Sequence, residues 1–386
     1  MSDKVKIAVI GVGGMGGSHL NSMKDLDNCE LVAVCDIDKE IADKKGKDYD
    51  VKVFYTHEDL LKSKIADAVI IATPHYDHTT IAIAAMDAGV HVLTEKPVGV
   101  HKLDIEKMIA AHERNPKLIF AAMFQQRTIE AHKRLKELID SGEFGAIKRI
   151  NWTVTTWFRT QYYYDRGGWR ATWKGEGGGV LMNQCPHQLD LFQWFFGMPK
   201  TVRATCSIAK YHNIEVEDDV TAYMEYEDGK TAVFITSTGE APGTERLEIA
   251  CERGKVVLEN HKIMFYRTEQ LVSEFCKTSQ EGFATPPVWE IEIPLSDKKG
   301  GEHTEVIETF VNAISKGTEL VAKAEEGIHS IELANTMLYS SIKDEKVTLP
   351  LDGQKFYDML QNLIKNSTFE KTVVETSKEV DMTSSF

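Results

Sequence analysis

Ile7-Ala8-Val9-Ile10-Gly11-Val12-Gly13-Gly14-Met15-Gly16 is the stretch that decides the fold: an apolar run that stops on a cluster of glycines. Such glycines permit a tight turn and a close approach of backbone to ligand, and a helix opening here presents free N–H groups to a pyrophosphate. A GxGxxG pattern alone is weak. This one has a strand before it, a helical pattern after it, and Asp36 twenty residues beyond Gly16 at the end of a second apolar run, where a carboxylate can accept hydrogen bonds from ribose hydroxyls. The combination predicts a dinucleotide site built from Gly11, Gly13, Gly14, Met15, Gly16 and Asp36. Because Asp36 repels a 2′-phosphate, NAD is favoured over NADP; Lys39 blurs that preference unless it is simply a solvated lysine at a helix start.

Outward from this turn, apolar runs alternate with helical patterns: Val5 to Ile10, Leu31 to Cys35, Val51 to Phe54, Ala68 to Ala72, Val90 to Leu93 and Leu118 to Met123 read as strands. Most are continuously apolar, which indicates a parallel sheet covered on both faces, a doubly wound α/β domain over residues 1–125. A helix from Ile129 to Ser141, closed by Gly142, begins a second region, 126–350. There Lys148 to Phe158, Val202 to Ile208, Val220 to Tyr226, Thr231 to Thr238, Arg246 to Cys251 and Lys255 to Glu259 read as strands, several joined by tight turns such as Asp228-Gly229. An α+β domain with a large, mostly antiparallel open sheet is expected. Helices follow over Val306 to Ser315, Gly327 to Ile342 and Gln354 to Ile364, some expected to pack back on the first domain, and a polar, loosely ordered tail ends residues 351–386.

Of 386 residues, 42% are hydrophobic and 27% charged, a globular balance, and the net charge of -14 argues against nucleic acid or an anionic membrane as partner. The polar start leads straight into a strand and no apolar run reaches the about 20 residues that span a bilayer, so a cytoplasmic protein is expected. Six cysteines without a CxxC pair fit a reducing compartment. No structural metal is expected. His75 and His78 have the spacing of a metal pair, yet no further ligand is evident.

Two further stretches carry chemistry. Val92-Leu93-Thr94-Glu95-Lys96-Pro97 ends an apolar run in an acid, a base and a proline, where ligands bind beyond the carboxyl ends of parallel strands; the same residues also fit a solvated turn. Gly177-Gly178-Gly179-Val180-Leu181-Met182-Asn183-Gln184-Cys185-Pro186-His187 leads into an apolar helix, with Asn183 expected as its N-cap and Pro186 in its first turn. His187 is then placed early on that helix. An imidazole can take the proton of an alcohol as hydride leaves, and it can equally be a partly buried histidine bonded to backbone.

Taken together, the glycine turn, Glu95-Lys96-Pro97, and the Gly-Gly-Gly segment leading to His187 and Asp190 resemble the Gfo/Idh/MocA oxidoreductases, the group of glucose-fructose oxidoreductase and inositol 2-dehydrogenase. The resemblance runs from about Lys6 to Pro350 and includes Thr73-Pro74 with His78, and Val347-Thr348-Leu349-Pro350. It implies that Lys96 lies beside the nicotinamide and the substrate hydroxyl, that His187 completes the catalytic pair, and that Thr73, Pro74, His78, Glu95 and Gln125 border the cofactor. It also implies pairing of subunits through the open face of the second sheet, as a dimer, tetramer or larger homo-oligomer. Two positions depart from the pattern. Asn183 stands where many members have aspartate, and an amide cannot supply a charge to stabilise imidazolium, which leaves open whether His187 or Lys96 carries the proton; His75 stands where asparagine is usual.

Between Trp157 and Trp173 the chain is dense in aromatics and arginines: Trp157, Arg159, Tyr162, Tyr163, Tyr164, Arg166, Trp169 and Arg170. Aromatic faces pack on a pyranose ring and arginines bond hydroxyls or acidic groups. Trp157, Arg159, Tyr163, Trp169, Arg170 and Asn183 are the expected substrate contacts, with Arg127 beside Gln125 at the crossover; several of these residues also suit the interdomain core. The expected activity is oxidation by NAD of a secondary ring hydroxyl of a sugar, glycoside or cyclitol, with pyranose C3 favoured by resemblance. Two other classes share these features: an NAD-dependent glycosidase acting through transient C3 oxidation, and a non-catalytic dinucleotide sensor.

Overall fold

The computed structural model describes residues 4–298 and 300–374; the end of the expected polar tail, 375–386, lies outside the described residues. The first sheet comprises β1 (Val5–Ile10), β2 (Cys29–Cys35), β3 (Lys52–Phe54), β4 (Ala68–Ile71), β5 (His91–Thr94) and β6 (Phe120–Ala122). Its order is β3-β2-β1-β4-β5-β6, with every neighbouring pair parallel. The period-2 geometry of β1 divides its apolar residues between two layers. Ile7 and Val9 pack with Val306, Ile307 and Phe310 of the helix His303–Lys316, whereas Ala8 and Ile10 join Ile81, Ala85 and Met108 on the opposite face. A helix from the C-terminal third therefore covers the sheet formed by the N-terminal third.

The second sheet has nine strands: β7 (Ile147–Val154), β8 (Thr201–Ile208), β9 (Glu217–Glu225), β10 (Thr231–Ser237), β11 (Glu245–Cys251), β12 (Gly254–Glu259), β13 (Lys262–Thr268), β14 (Val288–Ile293) and β15 (Val347–Thr348). The order is β14-β13-β12-β11-β7-β10-β9-β8-β15, antiparallel except where β10 lies parallel to β7. One face packs on the helices Pro186–Phe196 and Gly327–Lys343; Trp152 of β7 stacks on Phe192 with ring planes 18° apart. The other face carries polar side chains, including the Arg149–Glu248 and Arg246–Glu259 ion pairs.

Three expectations are corrected. β13 and β14 extend the sheet beyond the strands read from the sequence, because the edge strand Val-Trp-Glu-Ile-Glu-Ile is mostly exposed and lacks a strong apolar face. Asn183 does not cap the long helix: it ends a short helix, Val180–Asn183, and the long helix starts at Pro186, whose missing N–H suits a first position. The segment after Asn366 is not loose up to Val374. Lys371 Nζ donates to Tyr164 O (2.7 Å) and Arg170 O (2.5 Å), and Val374 N donates to Asp165 O (2.9 Å), so the chain end straps the aromatic segment. No helix among the described residues is long and apolar enough to cross a membrane. All six cysteines are unpaired, five of them buried.

Candidate active site

The crevice opens where the order of the first sheet reverses, beyond the ends of β1 and β4. Gly11 has φ +81°, and a Cβ there would lie 2.7 Å from Ala72 O; a Cβ on Gly16 would collide with Gly11 O, while one on Gly13 would meet open space. The following helix, Gly14–Ser22, has no side-chain cap, which leaves its first N–H groups, those of Gly14, Met15 and Gly16, available to an anion. Asp36 Oδ2 accepts from Val12 N (2.8 Å) and Oδ1 from Asp38 N (3.0 Å), fixing the carboxylate at the rim with lone pairs to spare for ribose hydroxyls. Lys39 places its ammonium over the Tyr55 ring, 5.2 Å from the centroid. Thr73 Oγ1 is buried without a partner at the same crevice. These features fit a dinucleotide with its pyrophosphate on the helix end.

Beyond β5, Glu95 and Lys96 point different ways. Glu95 is buried; His19 Nε2–H donates to its Oε1 (2.7 Å) and Lys96 N to its Oε2 (3.0 Å). Burial pushes the Glu95 carboxyl up, but the hydrogen bond and charge of His19, with His303 and Lys96, outweigh it and hold the group at about 2. It is an internal anion that fixes the turn. The two ring nitrogens of His78 lie 2.8 Å from Pro97 O and 2.9 Å from Thr73 O, so this side chain braces the ends of β4 and β5 against each other. His75 and His78 have ring centroids 6.2 Å apart, and no third metal-ligating side chain joins them among the described residues. His75 instead packs edge-on against Trp169.

Lys96 Nζ donates to Asn183 O (3.0 Å). Enclosure by its neighbours lowers the pKa of this ammonium; Glu95 and Glu176 act against that, whereas Arg170 and Arg159 reinforce it. The Asn183 side chain accepts from Tyr163 OH (3.2 Å) and donates through Nδ2 to Glu176 Oε1. Tyr163 OH accepts from Arg170 (2.9 Å), whose guanidinium lies over the Tyr163 and Trp169 rings; Arg159 lies over Trp157 and Tyr163. The expected substrate residues Trp157, Arg159, Tyr163, Trp169, Arg170 and Asn183 thus form one continuous wall, and Asn183 joins it to Lys96. Other members of the aromatic segment serve elsewhere. Tyr164 is buried on Thr238, Trp173 is buried, and Tyr162 is exposed under Arg166.

His187 is buried, with Nε2 3.2 Å from Gln125 Nε2 and Nδ1 without a partner. Burial, then the charge of Lys96, holds its pKa well below the ordinary histidine value, so the ring is neutral at physiological pH. With Gln125 donating, Nε2 accepts and Nδ1 carries the ring proton. The bonded-to-backbone alternative does not describe this histidine. Arg127 does not reach the pocket: its bidentate pair with Asp190 (2.6 and 2.7 Å) anchors the His187 helix to the crossover, and a third bond to Glu326 (2.6 Å) ties the crossover to the start of the helix Gly327–Lys343.

Sequence reasoning passed over His19, Glu176, His303 and Glu217. His19 lies one turn after Gly16 and so faces Glu95; His303 packs edge-on to His19 at 5.3 Å. Glu217 Oε1 receives Gly179 N (2.8 Å) and Leu181 N (3.1 Å) and thereby shapes the triple-glycine turn. A charged residue directly before a glycine run was the available sign for Glu176.

A family model described as an oxidoreductase family with an NAD-binding Rossmann fold matches residues 5–123, and the GFO/IDH/MocA C-terminal domain model matches 132–257. The chain belongs to the Gfo/Idh/MocA oxidoreductase family. Among its members, inositol 2-dehydrogenase of Salmonella typhimurium is 33% identical over 144 residues, 36% of this chain and 43% of that enzyme, so the matched segment spans less than half of the relative. Inositol 2-dehydrogenase of Rhizobium meliloti is 22% identical over 352 residues, 89% of this chain and 99% of that protein. Among solved Gfo/Idh/MocA structures, the WlbA dehydrogenase of Chromobacterium violaceum, in complex with NADH and UDP-GlcNAcA, superposes with a TM-score of 0.78 at 28% identity, covering 91% of this chain and 98% of that one. Levoglucosan dehydrogenase, at 18% identity and a TM-score of 0.75 over 91% of this chain and 100% of that one, shares the fold. NAD is accordingly the cofactor of the Rossmann sheet.

Proposed function

We propose that this protein is an NAD-dependent dehydrogenase that oxidises a secondary ring hydroxyl of a sugar, glycoside or cyclitol to a ketone, with C3 of a pyranose as the favoured position. The observation that carries the reading is the convergence of Lys96, Asn183 and neutral His187 beyond β5, beside a glycine turn that fits the dinucleotide. When bound, the nicotinamide supplies the hydride acceptor. The remaining chemistry belongs to side chains. Lys96 Nζ binds the reacting oxygen and stabilises negative charge as its O–H proton departs; His187 Nε2 receives that proton once the substrate hydroxyl replaces the Gln125 N–H as its partner. Trp157, Tyr163 and Trp169 offer ring faces, while Arg159 and Arg170 offer donors for neighbouring hydroxyls. The inositol 2-dehydrogenase and WlbA relatives support a polyhydroxylated ring as substrate.

We place the working protein in a reducing cytoplasm, consistent with its unpaired thiols, as a homo-oligomer joined through the polar face of the nine-stranded sheet. The test is a screen for NADH formation over cyclitols, free aldoses and aromatic glycosides. Net NADH with a ketone product supports the proposal; release of free sugar without net NADH, or binding of NAD without turnover on any ring polyol, overturns it.

A further inference from the structure

Asn183 occupies the position at which an acid would ordinarily complete a lysine–histidine site, yet the site is not without a carboxylate. Glu176 is 2% exposed and lies seven residues before Asn183, at the other end of the triple-glycine turn. Its Oε1 accepts from Asn183 Nδ2, and its Oε2 accepts from Ala171 N (2.6 Å). Both partners are obligatory donors. Two donors, one on each oxygen, favour the ionised form, which offers the stronger acceptors.

The surroundings act in both directions. Burial raises the Glu176 carboxyl above its ordinary value, and Glu217 and Tyr164 border it; Arg170, the Ala171 N–H, the Asn183 amide and Lys371 oppose that rise without cancelling it. Seen from Lys96, the charged groups at hand are Glu95, Glu176, Arg170 and Arg159, and the imidazoles of His75, His187 and His303 lie in the same field. Glu95 is occupied with His19. Glu176 is therefore the carboxylate on the Asn183 side of the lysine. The identity of residue 183 follows: an aspartate would set two carboxylates against each other, whereas asparagine donates one amide hydrogen to Glu176 and turns its oxygen to Tyr163 OH.

We propose that Glu176 is a positioning residue of this site, which, held in place by the Asn183 amide, supplies beside Lys96 the negative charge that position 183 lacks. Its consequence for turnover rests on the dehydrogenase reading; its direct test does not. The midpoint for labelling of Lys96 is measured in the full-length protein by competitive acetylation with acetic anhydride across pH, with the Lys96 peptide quantified by mass spectrometry. Glu176→Gln removes a charge that favours the ammonium, so the midpoint moves to lower pH. Exchanging acid and amide in Glu176→Gln/Asn183→Asp retains one carboxylate and one amide in contact, and the midpoint returns to that of the wild type.

An unchanged midpoint in Glu176→Gln overturns the proposal, because it reduces Glu176 to a brace for the Ala171 turn. If Glu176→Gln does not fold, the exchanged variant decides: a folded protein with the wild-type midpoint supports the proposal, and one that is unfolded or labels at lower pH overturns it. Absence of turnover in every variant, with the midpoints moving as stated, would count against the dehydrogenase reading alone.

Discussion

Replacing Arg127 with Met tests whether the crossover is held by an internal ion pair. Arg127 is 4% exposed and Asp190 1%, and two bonds of 2.6 and 2.7 Å join them. Burial works against the guanidinium, but Asp190 and Glu326 outweigh it and push its pKa further up. The guanidinium lies over the Phe124 and Trp194 rings, and methionine places an unbranched apolar side chain beside them while removing the charge. The Glu326 arm reaches a carboxylate that is 39% exposed and is worth at most about 1 kcal/mol. The main loss comes from Asp190, left among the described residues with Gln193 as its side-chain donor, and breaking a buried pair from one side costs about 3–5 kcal/mol. Burial raises the Asp190 pKa above its ordinary value even beside Arg127, and without Arg127 it rises further above the unfolded value of about 3.9. The native state then binds more protons than the unfolded one, so the stability of the variant falls as pH rises from about 4. Urea unfolding followed by tryptophan fluorescence at pH 4.5 and pH 8 reads both effects. A loss below about 1 kcal/mol at pH 8, or an equal loss at both pH values, would refute the argument. Arg127→Met/Asp190→Leu should recover most of the deficit, because no charge is then stranded.

Lys96→Ala and His187→Ala should each lower kcat by about 10²–10⁴-fold on a substrate found in the screen, with NAD affinity measured separately by fluorescence titration; near-normal turnover in either would remove that residue from the chemistry. Asp36→Ala should weaken NAD and relieve repulsion of a 2′-phosphate, reducing the preference for NAD over NADP by about 10-fold or more in KM ratios. Glu217 is fully buried with Oε2 unpartnered, and burial raises its carboxyl to about 7. Its folded pKa exceeds the unfolded value of about 4.3, so wild-type stability should decline between pH 4.3 and 7 through this group, and Glu217→Gln should flatten that decline in pH-dependent thermal melts.

The first sheet was legible because its signals are local. The run Ile7 to Ile10, the glycine turn and Asp36 each imply their own backbone, and a sheet covered on both faces leaves nearly continuous apolar strands, with exposed residues such as Lys6 and Glu30 confined to strand starts. The second sheet was legible only where tight turns punctuated it. β13 and β14 pair at the edge, where β14 is mostly exposed, β13 is mostly half-buried, and the apolar pattern thins. In the site, Lys96 and His187 could be named because each sits at a conspicuous strand end or helix start. Their supports could not: Arg127 finds Asp190 across 63 residues and Lys96 finds Asn183 across 87.

Asn183 shows why local rules mislead at such a point. Asparagine is a good N-cap because its side-chain oxygen can accept a backbone N–H. Here that oxygen faces Tyr163 OH, the amide donates to Glu176, and Pro186, which has no N–H to satisfy, begins the helix instead. A buried carboxylate competes for the amide more strongly than a helix end does, since an unpaired charge in the interior costs far more than a missing cap. The misread cap and the missing acid at position 183 therefore have one cause. Glu176 requires a donor at that position, and the residue that satisfies it can be neither a helix cap nor a second carboxylate.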